Sequence, residues 1–447
     1  PEAWGPRECR VRRGTAMATI YPNQRPNVLF ILTDDHQFRA VGAAGNRVLR
    51  TPHMDWLARG GVHFTHCHAS NPISTPSRAC LLTGQYGFRN GVTFFRQPIR
   101  PDAPRVAREL SQRGYQTAFT GKWHNDGRPC HHGFYLMRNV FLGGMHGYDS
   151  IPVVQGPDDA PADVKSHPSE VFTDGALELL DGECMEPFAL FVWYTAPHDP
   201  RTPPEKCEAL YPPQTISLPP NFMPAPLFDP GTLDIRDEKL LPRPLNPLEI
   251  RQEIARYYAM LTHLDNQIGR MLHRLQEKGL LENTVVILAG DNGLSLGAHG
   301  LLGKQNMYEE AVRVPLIIRG PGFQSGVRCD ALVDLMDVMP TLCDIAGAPI
   351  PAGVQGRTLT PLLTGRRKRL RDSIFCHYDD LFRMVRTPRH KLVRHLKTGR
   401  EELFHTETDP YEQNDLIESA LYAPVLNDLR ARLNHWRRTL NDPTFQN

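Results

Sequence analysis

The stretch NVLFILTDD fills residues 27–35. An apolar run stops abruptly at Thr33-Asp34-Asp35. Its length and its β-branched and aromatic content read as a strand. Its unbroken hydrophobicity implies cover on both faces, as in a parallel sheet. Three more runs share this texture. YQTAFT (115–120) leads into Gly121-Lys122-Trp123-His124, FALFVWYT (188–195) into Ala196-Pro197-His198, and TVVILAG (284–290) into Asp291-Asn292-Gly293. Helical patterns alternate with them. TPHMDWLARGG (51–61) has Thr51 at the N-cap, Pro52 in the first turn and glycines at the exit. Residues 248–279 place Ile250, Ile254, Tyr258, Leu261, Leu264, Ile268, Met271 and Leu275 three or four apart, a long amphipathic helix. Strands alternating with helices predict an α/β, doubly wound sheet. In such a sheet the carboxyl ends of parallel strands share one edge, where ligands bind. All four runs end in chemically capable residues, so a site is expected there.

The chain has 447 residues, 40% hydrophobic and 22% charged, with a formal charge of +2. That suits a folded globule and gives no reason to expect a nucleic-acid partner. No run is long enough for a transmembrane helix, so no membrane association is expected. The first residues have arginines but no signal-like apolar core, and Met17 is a candidate natural start. Nine scattered cysteines, none in CxxC, fit reduced thiols better than a disulfide framework. The default expectation is cytoplasmic, or periplasmic or exported if a leader has been removed. The proline-rich span 197–247 reads as a long excursion that walls a site. The basic break TGRRKRLRD (364–372) precedes a change of texture. The expected organisation is an N-terminal extension (1–25), a catalytic α/β domain (26–367) and a C-terminal subdomain (368–447) of short antiparallel strands and a terminal helix.

Asp34, Asp35, Asp291 and Asn292 offer only oxygen ligands, which suits Ca²⁺ or Mg²⁺ better than zinc. Taken singly, each acidic pair is an ordinary turn after a strand; two on one sheet edge favour a metal. HCH (66–68) and CHH (130–132) lack a matching second pair at zinc-finger spacing. GLSLG (293–297) matches a nucleophile elbow, but the glycine-rich LGAHGLLGKQ after it is poor helix material. NPISTPSRACLLTGQY (71–86) is a different matter. Pro76 fits a first helical turn, Ser74 or Thr75 the N-cap, and Gly84 the exit. A helix N-terminus favours an anion, and Arg78 adds a planar donor suited to a tetrahedral oxyanion. A hydroxyl here can cap, attack, or hold sulfate or phosphate.

Ser74-Thr75-Pro76-Ser77-Arg78, followed by Thr83-Gly84, resembles the signature of the formylglycine-dependent sulfatases of the alkaline-phosphatase superfamily. TDD (33–35), GKWH (121–124), APH (196–198), GDNG (290–293), GKQNMYEEAVRVPLIIRGPG (303–322) and the tail around ELFHTETDPYEQNDL extend the resemblance over nearly the whole chain from about residue 26. The resemblance implies a large mixed, mostly parallel sheet between helices, with a small α+β subdomain. It implies that residue 74, cysteine in many relatives, is matured by a formylglycine-generating enzyme and hydrated to a gem-diol. Asp34, Asp35, Asp291 and Asn292 match the metal ligands, with the residue-74 oxygen completing the shell, usually around Ca²⁺. Arg78 matches the residue that steadies the gem-diol, and Lys122 and Lys304 the lysines on the sulfate oxygens. His124 matches the histidine bonded to the gem-diol, and His198 the one beside the leaving-group oxygen. His299, Asp199 and Arg201 are candidate substrate contacts. The expected activity is hydrolysis of a sulfate monoester, small or on an oligosaccharide. The alternatives are a phosphate or phosphonate ester hydrolase of the same superfamily and a non-catalytic sulfoglycan-binding protein.

Overall fold

A computed structural model describes residues 25–445, so the expectations for the N-terminal extension before residue 25, for Met17 and for Cys9 lie outside the described residues. The NVLFILT run is a strand, Asn27–Thr33, with every residue buried. It lies inside an eight-stranded sheet. The spatial order is Val327–Asp334, Val62–His68, Arg313–Arg319, Thr284–Gly290, Asn27–Thr33, Phe188–Trp193, Gln116–Lys122 and Leu136–Phe141. All neighbours pair in parallel except Arg313–Arg319, which is antiparallel to both of its own. Side chains alternate across a strand. Leu29 and Ile31 therefore enter one core, and Val28, Phe30 and Leu32 the other. That double burial is why the run reads as continuously apolar.

One face is covered by the helices Pro52–Gly60, Pro168–Glu178 and the 31-residue Pro247–Glu277. The long helix starts where Asn246 accepts the Leu248 N–H at 2.8 Å, with Pro247 as first helical residue. Thr51 does not cap its helix: its hydroxyl donates to Asp55, and Asp265 on the long helix accepts the N–H groups of His53 and Met54 instead. The other face carries Ser74–Thr83, Val106–Ser111 and Val338–Ile345.

The expected C-terminal strands form a four-stranded antiparallel sheet, Ile374–Tyr378, Phe382–Arg386, His390–His395 and Glu401–His405. Its helix is Ala423–Thr439. Among the described residues the cysteines are free thiols, and no helix is long and apolar enough to cross a membrane.

Candidate active site

Four parallel strands deliver their ends to one edge. Backbone bonds lock those ends together: Asp34 N–H donates to Ala196 O at 3.1 Å and Asp291 N–H to Thr33 O at 2.9 Å. Asp35 adopts a left-handed φ of 61°, which turns consecutive carboxylates to different partners. The antiparallel strand has its own role. The chain leaves Thr284–Gly290 at this edge and re-enters the sheet at Arg313 from the same edge, so the 291–312 loop stays there and brings Lys304 back.

The helix after Val62–His68 aims residue 74 at this edge. It spans Ser74–Thr83, with Ile73 as N-cap and Gly84 ending it in the left-handed region. Ser74 is thus the first helical residue rather than the cap. Its hydroxyl donates to Asp34 Oδ1 at 2.8 Å and meets Asn292 Oδ1 at 3.4 Å. Ser77, read from sequence as a helix-start residue, donates to the Asp291 carbonyl at 2.5 Å and ties the helix to the Asp291 loop. Arg78 is wholly buried, with its guanidinium 5.3 Å from the Trp193 ring centre. Its Nε and Nη2 donate to Asp291 Oδ2 and Asp34 Oδ2, both at 3.0 Å, and its Nη1 to the Lys122 carbonyl at 2.7 Å.

Lys122 pairs with Asp34, and Lys304 with Asp35 at 2.5 Å. His198 Nε2 lies 3.7 Å from Asp35 Oδ2, and its Nδ1 is held by the Asp199 carbonyl at 2.7 Å. His124, at φ 52°, has a buried Nδ1 with no partner. Its ring passes so close to Gly144 that a Cβ there would stand 2.4 Å from Nε2.

Three buried carboxylates therefore sit among three buried cations, and the field distorts their acidities. Burial opposes the charge of Asp34, yet Lys122, Arg78, His198 and Lys304 hold its carboxyl well below the usual range. Burial and then the charge of Asp34 push Asp291 up to about 6. Burial pulls the Lys122 ammonium down, against the pull of Asp34. Burial, Lys122 and Arg78 push His124 down to about 2, so its ring is neutral near pH 7.

The arrangement fits a hard divalent cation. Ligand atoms of Asp34, Asp35 and His198 lie within 4.8 Å of one another. Asp35 Oδ2 is buried without a hydrogen-bond partner, an acceptor left for something else. Asp291 is oriented by donors: Oδ1 accepts the N–H groups of Asp35 (3.2 Å) and Asn292 (2.8 Å).

Ser74, His124, His198 and Lys304 line one cavity of about 890 Å³. Four expected contacts do not line it: Lys122, fully buried against Asp34, and His299, Arg201 and Asp199. His299 stacks on Tyr308 with ring centres 3.7 Å apart and faces a separate small cavity. Arg201 is spent on Glu253 at 2.8 Å, bracing the loop against the long helix. Asp199 holds Arg236 and the His198 ring. Of the 197–247 excursion, His198, Ile235, Arg236 and Asp237 reach the cavity, while Asp199 and Arg201 turn away from it. Phe95, Arg96 and Gln305 also line it. They were missed because nothing in their local pattern separates them from ordinary loop residues.

The profile described as Sulfatase matches residues 26–348. The chain belongs to the sulfatase family. A second profile, described as the C-terminal part of N-sulphoglucosamine sulphohydrolase, matches residues 297–439. The sulfatase is 29% identical to an ulvan-active sulfatase of Formosa agariphila, over 94% of this chain and 82% of that protein. It is 27% identical to an N-acetylglucosamine-6-O-sulfatase of Bacteroides thetaiotaomicron, over 94% and 87%. A solved structure holding its substrate D-glucosamine-2-N,6-O-disulfate superposes with TM-score 0.84 at 27% identity, covering 95% of this chain and 100% of that one. A phosphonate monoester hydrolase of Agrobacterium radiobacter shares the fold, with TM-score 0.78 at 23% identity, covering 94% and 96%. The fold is thus the alkaline-phosphatase-like one, and the enzyme class is that of the sulfuric ester hydrolases, whose members work with a metal and a formylglycine.

Proposed function

We propose that this sulfatase hydrolyses a sulfate ester of a sulfated sugar in the Ser74 cavity, with residue 74 in its formylglycine form and a calcium ion held by Asp34, Asp35, Asp291 and Asn292. The observation that carries the reading is the meeting of Ser74, Arg78, Lys122, His124, His198 and Lys304 around Asp34, Asp35 and Asp291. The cation, when bound, supplies positive charge against the sulfate oxygens and acidifies the residue-74 oxygen. Lys122 and Lys304 donate to the remaining sulfate oxygens, and Arg78 keeps Asp34 and Asp291 from turning away. His124, held neutral, accepts a hydrogen bond from a hydroxyl of the hydrated, gem-diol form of residue 74. His198 donates through Nδ1 to the Asp199 carbonyl, which orients Nε2, and in its doubly protonated form the ring gives the departing alkoxide the Nε2 proton. A sugar substrate is the reading best supported by the named relatives, two of which act on or hold sulfated sugars. The unpaired thiols fit a reducing compartment, and we place the protein in the cytoplasm, which fractionation of the source cells tests.

The matured enzyme, offered N-acetylglucosamine-6-sulfate, 4-nitrophenyl sulfate, 4-nitrophenyl phosphate and a phenyl phosphonate, should release sulfate with the highest kcat/KM. Preference for the phosphonate or phosphate ester contradicts the proposal, and binding without release of sulfate points to a sulfoglycan-binding protein.

A further inference from the structure

The cavity has a wall that the chemistry above leaves unused. Residues 93–97 form a tight turn at its rim. The Gln97 carboxamide oxygen accepts three bonds from it: Thr93 N–H at 2.7 Å, Thr93 Oγ1 at 3.1 Å and Phe94 N–H at 2.9 Å. Asn71, just ahead of the reactive residue, donates to the Thr93 carbonyl at 3.1 Å. Phe94 anchors the turn in an apolar cluster with Ile73 and Tyr378. The next two residues face outward. Phe95 is 36% exposed, with its ring centre 6.1 Å from that of His124. Arg96 is exposed and held at φ 59°, a left-handed conformation costly for a long side chain. Such strain in a pinned turn points to a demand on where the side chain stands.

Charge bookkeeping around the cavity singles out the same residue. Arg236 pairs with Asp199 and Asp237, and Lys304 with Asp35. The acidic lining residues are occupied too: Gln305 donates to Asp237, and Asp126 accepts the Ile99 N–H. Among the described residues lining the cavity, Arg96 is the guanidinium or ammonium with no carboxylate at ion-pair distance.

We propose that this turn is a second anion subsite, in which Phe95 offers its ring to the apolar face of the sugar and Arg96 binds a second anionic substituent, a sulfate or carboxylate remote from the ester that is cleaved. The inference rests on the sulfated-sugar reading above and narrows it to substrates with at least two negative groups. A planar guanidinium pairs two N–H groups with such an oxyanion, and a contact of that kind at a cavity rim is worth about tenfold in affinity.

Binding to the unmatured Ser74 protein tests this without requiring turnover. Calorimetric titrations would use D-glucosamine-6-O-sulfate, D-glucosamine-2-N,6-O-disulfate and a sulfated hexuronate. The wild type should bind at least one doubly charged ligand about tenfold more tightly than the monosulfate. Arg96→Gln should erase that preference and leave the monosulfate within about twofold, and Arg96→Lys should keep part of it. Preference for the disulfate alone identifies the second group as sulfate, and for the hexuronate alone as carboxylate. No preference in the wild type, or an equal loss for all three ligands in Arg96→Gln, overturns the subsite. Failure of the matured enzyme to release sulfate from any ester would instead overturn the proposed function, and the two results are read separately.

Discussion

Asp291 joins more of the site than any other residue. Its two carboxylate oxygens take donors from Asp35, Asn292 and Arg78, and its carbonyl takes the Ser77 hydroxyl. Asp291→Ala should therefore abolish metal binding and activity together, with kcat/KM down at least about a thousandfold. Metal content by plasma emission alongside sulfate release checks it, and retention of both would refute the assignment. His198→Ala offers a sharper readout. Loss of the general acid should lower kcat on a sugar sulfate by about 10²–10⁴, yet leave 4-nitrophenyl sulfate within about tenfold, because a nitrophenolate departs without a proton. Equal losses on the two substrates would remove His198 from that role. Most of the residues that meet around Ser74 were legible in the sequence because they follow a strand or open a helix, where local pattern fixes position; Lys304 lies in the 291–312 loop and was legible only through the family resemblance. His299 and Arg201 misled because a loop residue's neighbours depend on how the whole loop folds. Phe95 and Arg96 escaped notice for the same reason.

Among the elements, Gln116–Lys122 shows how a strand aims chemistry. Its register to Leu136–Phe141 shifts between Thr120 and Gly121, and Gly121 has φ 102°. A Cβ there would stand 1.9 Å from the Trp193 carbonyl oxygen. Gly121→Ala should destabilise the fold by about 2–4 kcal/mol, measured by urea unfolding, and should displace Lys122 and His124. The C-terminal elements carry a pH signature. Burial opposes the charge of Asp442, but hydrogen bonds from Arg383 and Arg437 win and hold its carboxyl below the ordinary range. The unfolded chain keeps the ordinary value of about 3.9. The stabilisation is thus complete above that pH and is lost as pH falls through the depressed folded value. Asp442→Asn should flatten the fall of stability below about pH 4, followed by circular dichroism. The four apolar strands and the long helix were readable, because double burial and helical spacing leave plain patterns. Val62–His68 was not: three histidines interrupt its apolar pattern. They are tolerated because burial pushes His63 and His68 down to about 4, so both are neutral near pH 7. The reversed direction of Arg313–Arg319 was also hidden, since a strand buried on both faces reads alike either way.

For the whole molecule, the catalytic edge and the C-terminal sheet meet at Glu309, one helical turn from the strand at Arg313. Its carboxylate takes Arg386 and Lys391 from that sheet, and Lys391 also pairs with Glu412. Glu309→Gln would leave Arg386 buried without a carboxylate partner, Lys391 keeping Glu412, and should cost about 3–5 kcal/mol. A differential-scanning trace shows whether the loss is that large. Chelation should act at the other centre, since a cation bound only by the folded chain raises its stability. Removing it with EGTA should lower the melting temperature by several degrees, and added Ca²⁺ should restore it. The central claim concerns residue 74, whose form the gene does not dictate. Trypsin releases it in the peptide Gly60–Arg78. Mass spectrometry of that peptide, across preparations of different specific activity, should show a species lighter than the serine form by two hydrogens, with sulfate release proportional to its share. Full activity from a preparation whose peptide carries only unmodified serine would contradict the account.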